Sequence, residues 1–401
     1  MVKDFFRTKR PWSEYKDLIL GYYLEPYIPK VNTLGKPILI VDCFAGAGKF
    51  DDGKDGSPLI IASAIEKWRG KGVNISGVFI EADDENFRKL ERSMNRFAGF
   101  AALKHGKFEQ HLPELATLAK QNTVFLYVDP YSVRGLRFDA MYKVYEHIRT
   151  SGASVELLLN LNVPIFMRWA LAALKRLDSK IDDQFPADVA DEIFGADEAD
   201  EPIEVSALND IAGGDYWKAI ASDASISFVD KVEAFMQAYS RKMTSCFKWV
   251  GWYDVKTKYH HQVPKYLLVY ATRSDHGIDL MNDAMCKARR EFVKDQFPRQ
   301  EDLFGAYDTK PASEQVDIAS VADRLLSLAP SDSKFTRRKL RISAMQDQFC
   351  RYTSQDYNAA VGVLIKTGRL FSETGRSRIN DKELLSVKPL SGGSEKADVR
   401  S

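Results

Sequence analysis

Ile38-Leu39-Ile40-Val41-Asp42-Cys43-Phe44-Ala45-Gly46-Ala47-Gly48 decides the fold of this chain. Four apolar residues run unbroken into Asp42, and a turn of small residues follows. An unbroken apolar run marks a strand covered on both faces, as in a parallel sheet between two layers of helices. A small-residue turn directly after such a strand lets backbone approach a ligand, because a β-carbon at Gly46 or Gly48 would intrude.

Working outward, further apolar runs predict strands at Val73 to Glu81, Thr123 to Asp129, Val155 to Leu161, Phe247 to Val255 and Tyr266 to Thr272, with the first at Ile38 to Cys43. Helical periodicity fills the gaps at Leu59 to Arg69, Asp84 to Phe97, Phe138 to Thr150 and Ile165 to Leu177. Strands alternating with helices are the sequence form of a mostly parallel α/β sheet. The last two strands are separated by about ten residues, too few for a crossover helix, and are expected to run antiparallel. Ahead of the sheet, Trp12 to Ile28 places Tyr15, Leu18, Ile19, Tyr22 and Tyr23 on one stripe, with Pro26 and Pro29 expected to close the helix. This helix is expected to cover the sheet edge or the mouth of a cofactor site.

Three kinds of ligand use a glycine turn of this sort. A dinucleotide fingerprint needs G-x-G-x-x-G, and Asp51 stands in place of the third glycine, where it would repel a pyrophosphate. A phosphate loop needs G-x-x-x-x-G-K-[ST]. Gly48 to Lys54 has that spacing, but Asp55 replaces the magnesium-binding hydroxyl and Asp51 and Asp52 lie inside the loop. S-adenosylmethionine has no phosphate and carries a sulfonium cation, so an acidic glycine turn suits it. Asp42, Phe44, Ala45, Gly46 and Gly48 are the expected floor of that site. Glu81, at the second strand tip, can accept from both ribose hydroxyls. His105-Gly106-Lys107-Phe108-Glu109 holds the position where methyltransferases of this type contact adenine. Lys107 cannot accept the adenine amine hydrogens, so Phe108 or a backbone amide is expected to define that pocket.

Val128-Asp129-Pro130-Tyr131-Ser132 ends another buried strand. Amine-directed methyltransferases place [DNS]-P-P-[YFW] at this tip. The acid and a backbone carbonyl accept the amine hydrogens and the aromatic stacks on a flipped base. With one proline rather than two, Tyr131 is shifted by one position. Asp129, Pro130 and Tyr131 are the candidate catalytic residues. Asn160, at the end of the next strand, either orients a substrate edge or caps a helix. Lys256, Lys258, His260 and His261 lie near Trp249, Trp252, Tyr253 and Tyr259, a mixture that suits nucleic acid or core packing alike.

The 57 Lys plus Arg residues nearly balance the 56 Asp plus Glu, which excludes a generally cationic nucleic-acid coat and leaves only local patches. The four cysteines are far apart with no metal-type spacing, so neither a disulfide framework nor a metal site is expected. With no signal-peptide pattern at Met1 to Arg10 and no apolar run of membrane length, a soluble, cytoplasmic protein is expected.

Trp12-x-x-x-Lys16 with Tyr23-Leu24, the Asp42-to-Gly48 turn, Gly56-Ser57-Pro58-Leu59, Asp129-Pro130-Tyr131 with Gly135-Leu136, Glu156-Leu-Leu-Leu-Asn160, and Tyr266 to Thr272 followed by Gly277 together resemble the three-Cys-motif partner (TcmP) proteins. The resemblance covers roughly residues 10–290. It implies a Rossmann-like S-adenosylmethionine-dependent methyltransferase fold with a mostly parallel seven-stranded sheet, acting on nucleic-acid amines. It also implies association with a separate radical-enzyme-like protein bearing three cysteines. Ser132 stands where the family usually has glycine.

The implied organisation is an N-terminal helical cap over residues 1–36 and a methyltransferase domain over 37–301 with an acidic insertion at about 178–215. A linker at 302–316, a small unit at 317–389 and a tail at 390–401 follow. In the small unit, helices at Asp317 to Ala329, Phe335 to Met345 and Ser354 to Thr367 precede a two-stranded wing over Arg369 to Ile379, turning at Thr374-Gly375. That is the pattern of a winged helix. Lys334 to Arg378 carries ten Lys or Arg against three acids, and Arg337, Arg338, Lys366, Arg376 and Arg378 are the candidate contacts to DNA or RNA phosphates.

Overall fold

The structure is a computed structural model; it describes residues 11–150, 154–174, 203–296, 300–302, 305–307, 315–376 and 379–388. The chain divides into two compact units, Met1–Arg299 and Gln300–Ser401.

The first unit is built on one sheet of seven strands. These are β1 (Ile38–Asp42), β2 (Ile75–Glu81), β3 (Ala101–His105), β4 (Thr123–Val128), β5 (Val155–Leu161), β6 (Trp249–Val255) and β7 (Tyr266–Thr272). Their order is β3-β2-β1-β4-β5-β7-β6. The pairs from β3 through β5 are parallel, and β7 runs antiparallel to both β5 and β6. The expected mostly parallel seven-stranded sheet and its antiparallel final pair are therefore present. β3 was not foreseen: among the described residues it pairs only with β2, and its residues are mostly half-buried or exposed, so it lacks the apolar run that marks the central strands.

Helices cover both faces. One face packs on α4 (Phe108–Ala119), α5 (Phe138–Thr150), α6 (Val163–Ala173) and three later helices, α7 (Val205–Ala212), α8 (Trp217–Ser222) and α9 (Phe228–Met243). Contact with the opposite face comes from α1 (Pro11–Asn32), α2 (Ser57–Arg69) and α10 (Asp275–Gln296). Between β2 and β3 lies α3 (Asp84–Met94), whose N-cap Asp83 accepts from Asn86 N at 2.8 Å.

Pro26 and Pro29 do not close α1; the helix runs through both to Asn32. Each proline costs roughly 3 kcal/mol in a helix interior. The outweighing term is burial of Tyr23, Leu24, Tyr27, Ile28 and Val31, at about 1.5–3 kcal/mol for each large apolar side chain. Pro26 itself is exposed, so the sheet-facing stripe stays intact.

The acidic insertion lies mainly outside the described residues, 175–202 among them. Its far end is not a solvated segment: Leu208, Ile211 and Ala212 of α7 are buried in the core. Cys43, Cys246, Cys286 and Cys350 are buried and form no disulfide. Among the described residues, no helix is long and apolar enough to cross a membrane.

In the second unit a short ribbon pairs β8 (Gln300–Asp302) with β9 (Gly305–Tyr307), at the start of the expected linker. The remainder comprises α11 (Ile318–Leu328), β10 (Phe335–Thr336), α12 (Arg337–Asp347), α13 (Ser354–Lys366), β11 (Phe371–Ser372) and β12 (Leu384–Ser386). Val321, Leu325, Leu340, Met345, Tyr357, Val361, Leu364 and Leu385 form its core. The helix after β10 starts at Arg337 rather than Phe335 because Thr336 caps it, accepting from Lys339 N at 3.3 Å. α13 is capped by Thr353 in a reciprocal box with Asp356. β11 lies within the span Arg369 to Ile379 expected for a two-stranded wing, but its partner strand lies beyond that span. β11 pairs with β12, which also pairs with β10, giving the antiparallel order β10-β12-β11.

Candidate functional site

The strand order turns outward on either side of β1, and such a reversal opens a crevice at the carboxyl ends of the strands. Asp42 ends β1 and Glu81 ends β2; Asp129 follows β4 directly, and Asn160 is the penultimate residue of β5. These tips surround a cavity of about 700 Å³ lined by Phe44, Ala45, Gly46, Gly48, Glu81, Phe108, Asp129, Pro130, Tyr131 and Asn160, among others. Nine of the ten residues expected to hold the cofactor or carry catalysis thus share one cavity wall. Asp42 is the tenth, and it lies behind that wall.

Asp42 is fully buried and holds the turn in shape, accepting from Ser57 Oγ at 2.7 Å and Phe44 N at 3.3 Å. Burial raises its pKa to about 7, against the opposing pull of those two donors; Asp129 and Glu81 add repulsion. Ser57 belongs to the Gly56-Ser57-Pro58 segment. A β-carbon on Gly56 would sit 3.0 Å from Gly48 O, so this glycine is needed for the two loop ends to meet.

Gly46 and Gly48 both have positive φ, 64° and 86°. A β-carbon at Gly48 would lie 3.0 Å from Ser93 Cβ of α3. Glycine at 48 thus lets α3 pack against the turn, and the same residue lines the cavity. Gly46 N donates to Glu81 Oε2 at 2.7 Å, and Asp83 N donates to Oε1 at 2.7 Å. Glu81 joins the first and second strand tips while keeping lone pairs for a ligand hydroxyl. Burial raises its pKa, although these backbone donors oppose the shift.

Residues 49–55 form a small hairpin, closed by Gly56 N to Gly48 O at 2.8 Å and Phe50 N to Lys54 O at 2.9 Å. Asp51 and Asp52 are exposed on it and do not line the cavity. The carboxyl groups at the strand tips are Glu81, Asp129 and the buried Asp42, and the cavity lining also carries Lys16, Lys49, Lys107, Arg134 and Lys265. Lys54 of this hairpin bonds Glu14 of α1.

Phe44 and Phe108 form an apolar wall with ring centroids 5.7 Å apart. Gly135 backs it, since a β-carbon there would touch the Phe44 ring at 3.5 Å. Lys107 stays outside this contact, exposed at the start of α4.

Asp129 is surrounded by donors. Lys16 Nζ reaches Oδ1 at 2.7 Å and Oδ2 at 2.5 Å, Asn160 Nδ2 reaches Oδ1 at 2.7 Å, and Tyr127 OH reaches Oδ2 at 3.0 Å. Asn160 is thus not a helix cap; Asn162 caps α6, accepting from Ile165 N. Lys16 comes from α1, one helical turn after Trp12, whose carbonyl accepts from Tyr266 OH at 2.8 Å. The ammonium of Lys16 also lies 5.2 Å from the Tyr266 ring centroid. Sequence reasoning marked Trp12 and Lys16 only as a motif; the signal for a site role was their shared helix face. Tyr131 is 51% exposed at the cavity rim.

No protein-family model matches the sequence, and no curated protein does. Solved structures give distant likenesses. A candidate caffeoyl-CoA O-methyltransferase from Staphylococcus aureus is 8% identical, with 62% of this chain and 82% of that chain covered and a TM-score of 0.30. A geranyl diphosphate methyltransferase, solved with its diphosphate and sinefungin, is 11% identical over 63% and 77% of the two chains, TM-score 0.24. PKMT2 from Rickettsia typhi is 10% identical over 86% and 91%, TM-score 0.28. Likenesses this distant say nothing about chemistry, which has to be argued from the cavity.

Near the β6–β7 loop, Trp252 packs against the core, Trp249 Nε1 donates to Asp275 Oδ1 at 2.7 Å, and buried His261 shares a hydrogen bond with Thr257. In the second unit, Arg337, Arg338 and Arg341 converge on Asp381 at 2.8, 3.0 and 2.9 Å. Two of the five candidate phosphate contacts are thereby engaged within the unit. Lys366 and Arg376 are exposed, and Arg378 lies outside the described residues.

Proposed function

We propose that the chain is an S-adenosylmethionine-dependent methyltransferase whose acceptor is an amine received at Asp129. The observation that carries this reading is that Glu81 and Asp129 line one crevice at the strand tips with Asp42 directly behind its wall. Glu81 and the partly ionised Asp42 attract a sulfonium and oppose a pyrophosphate, while Asp129 is paired with Lys16. Phe44 and Phe108 supply flat apolar surface for the adenine, and Glu81 accepts from the ribose hydroxyls. The bound cofactor supplies an electrophilic methyl group; the chain orients the acceptor nitrogen and takes its proton.

The finer reading is that the acceptor is the exocyclic amine of a nucleic-acid base, stacked on Tyr131. The second unit would act as a winged helix, with Lys366, Arg376 and Arg378 reaching phosphates. The resemblance to three-Cys-motif partner proteins adds a radical-enzyme-like three-cysteine protein as the partner.

One observation favours a second reading, a cofactor-binding adaptor without turnover: Asp129 already holds the Lys16 ammonium. Methyl transfer from labelled cofactor to DNA and to RNA, with Asp129→Ala as control, separates the two. Incorporation that is lost in the variant supports the enzyme; cofactor binding without incorporation into either polymer supports the adaptor.

A further inference from the structure

An ionised carboxylate offers about four lone-pair positions. Asp129 fills them with two contacts from Lys16 Nζ, one from Asn160 Nδ2 and one from Tyr127 OH. The Asn160 amide is fixed in this sense, because turning it would set its oxygen against the carboxylate. An outside amine therefore reaches Asp129 only by displacing one of these donors, of which Lys16 makes two of the four contacts. The nitrogen that already stands where the reaction needs its acceptor is the chain's own.

We propose that Lys16 is a self-methylation site, an inference that rests on the cofactor reading above. Its side chain is only 10% exposed and lines the same cavity as Gly46, Gly48 and Glu81. Two features prepare Nζ. Both oxygens of Asp129 lie within proton-transfer distance. The Tyr266 ring faces the nitrogen and can hold a methylated ammonium by cation–π attraction.

The step balances. Nζ passes a proton to Asp129, which returns it to solvent. The nitrogen lone pair forms the new N–C bond to the methyl carbon as the C–S bond breaks, and the bonding pair stays on sulfur as a neutral thioether. The chain gains one methylene mass per turnover.

The test uses the full-length protein incubated with S-adenosylmethionine alone, then digested and read by mass spectrometry. The expected result is one or more methylene gains on the peptide holding Lys16, absent in Lys16→Met. Calorimetry gives a reading independent of turnover. Sinefungin carries an amine where the sulfonium carries its methyl, so it competes with Lys16 for Asp129; S-adenosylhomocysteine does not. Lys16→Met is expected to tighten sinefungin by about tenfold, the worth of a hydrogen bond to a charged group, with S-adenosylhomocysteine changed by less than about twofold.

If S-adenosylhomocysteine does not bind the wild-type protein, the cofactor reading fails and takes this inference with it. If it binds but Lys16 gains no methyl group, self-methylation alone is overturned, and a selective gain for sinefungin would then leave Lys16 as a plug. Equal shifts for both ligands would show that Lys16 does not face the methyl position, and would overturn it too. Lys16→Gln, which can still donate to Asp129, serves if Lys16→Met loses S-adenosylhomocysteine binding.

Discussion

Gly277 leaves no room for a methyl group beside Glu156: a β-carbon there would lie 2.5 Å from Glu156 Oε1, and within 2.8 Å of Tyr270 OH and Thr272 Oγ1. Glu156 is buried and accepts from Tyr23, from Tyr270 at 2.7 Å and from Thr272 at 3.2 Å. Helices α1 and α10 and strands β5 and β7 therefore meet at one buried carboxyl group, whose pKa is raised by burial. Gly277→Ala must push the network apart, since none of its members has free space. The expected loss is about 2–3 kcal/mol in denaturant unfolding, the range for overpacking a buried site. An unchanged midpoint would mean that α10 is free to shift.

Asp381 is the matching polar hub of the second unit. Arg341 has a side chain only 3% exposed, so Asp381→Ala leaves a buried cation without its partner. Loss of one member of a buried pair costs about 3–5 kcal/mol, and the lower end applies because Asp381 is partly exposed. The Arg341 hydrogen bonds hold the Asp381 pKa well below the usual carboxylate range. Its stabilising contribution is therefore complete above the unfolded pKa and is lost as pH falls through the folded one. Hydrogen exchange of 337–347 as pH is lowered below about 4 should show this helix opening. Protection that does not change over that window would contradict it.

Asp42 gives a pH prediction for binding. Burial raises its pKa to about 7, so near neutrality it is partly protonated. A cation in the cavity favours the ionised form, so binding releases protons and affinity rises with pH. The affinity ratio of S-adenosylmethionine to S-adenosylhomocysteine should increase by about fivefold between about pH 6 and 8, roughly 1 kcal/mol of added attraction. Asp42→Asn should flatten that rise. Calorimetry in buffers of different ionisation enthalpy would also count the protons released.

Much of the site was legible because strand tips leave local signals. An apolar run ending in an acid located Asp42, Glu81 and Asp129, and strand alternation with helices implied the parallel sheet that gathers them. β3 gave no such signal, since an edge strand with one partner needs no continuous apolar run. Asp51 and Asp52 misled because a turn's composition does not say which way a hairpin projects its acids. The Lys16–Asp129 contact joins positions 113 residues apart, and no spacing rule reaches that far. Arg337 and Arg338 read as a basic patch only because Asp381 lies just beyond the counted window.

That last point yields a prediction for nucleic-acid contact. If the second unit grips phosphates, Lys366→Ala and Arg376→Ala should each weaken DNA or RNA binding across sequences and lower the salt slope by about one. Arg337→Ala should instead lower the stability of the unit, because its guanidinium is held by Asp381. Electrophoretic titration at several salt concentrations, with thermal unfolding alongside, separates these effects. An unchanged salt slope in both exposed-site variants would remove the phosphate-contact reading.

Titration calorimetry with four ligands, S-adenosylmethionine, S-adenosylhomocysteine, NAD and ATP, tests the assignment of the crevice most directly. Uptake of the first two, weakened about tenfold or more by Glu81→Ala through lost ribose hydrogen bonds, with no heat from NAD or ATP, is the predicted outcome. Tight binding of NAD or ATP by a protein that ignores both sulfur ligands would contradict it.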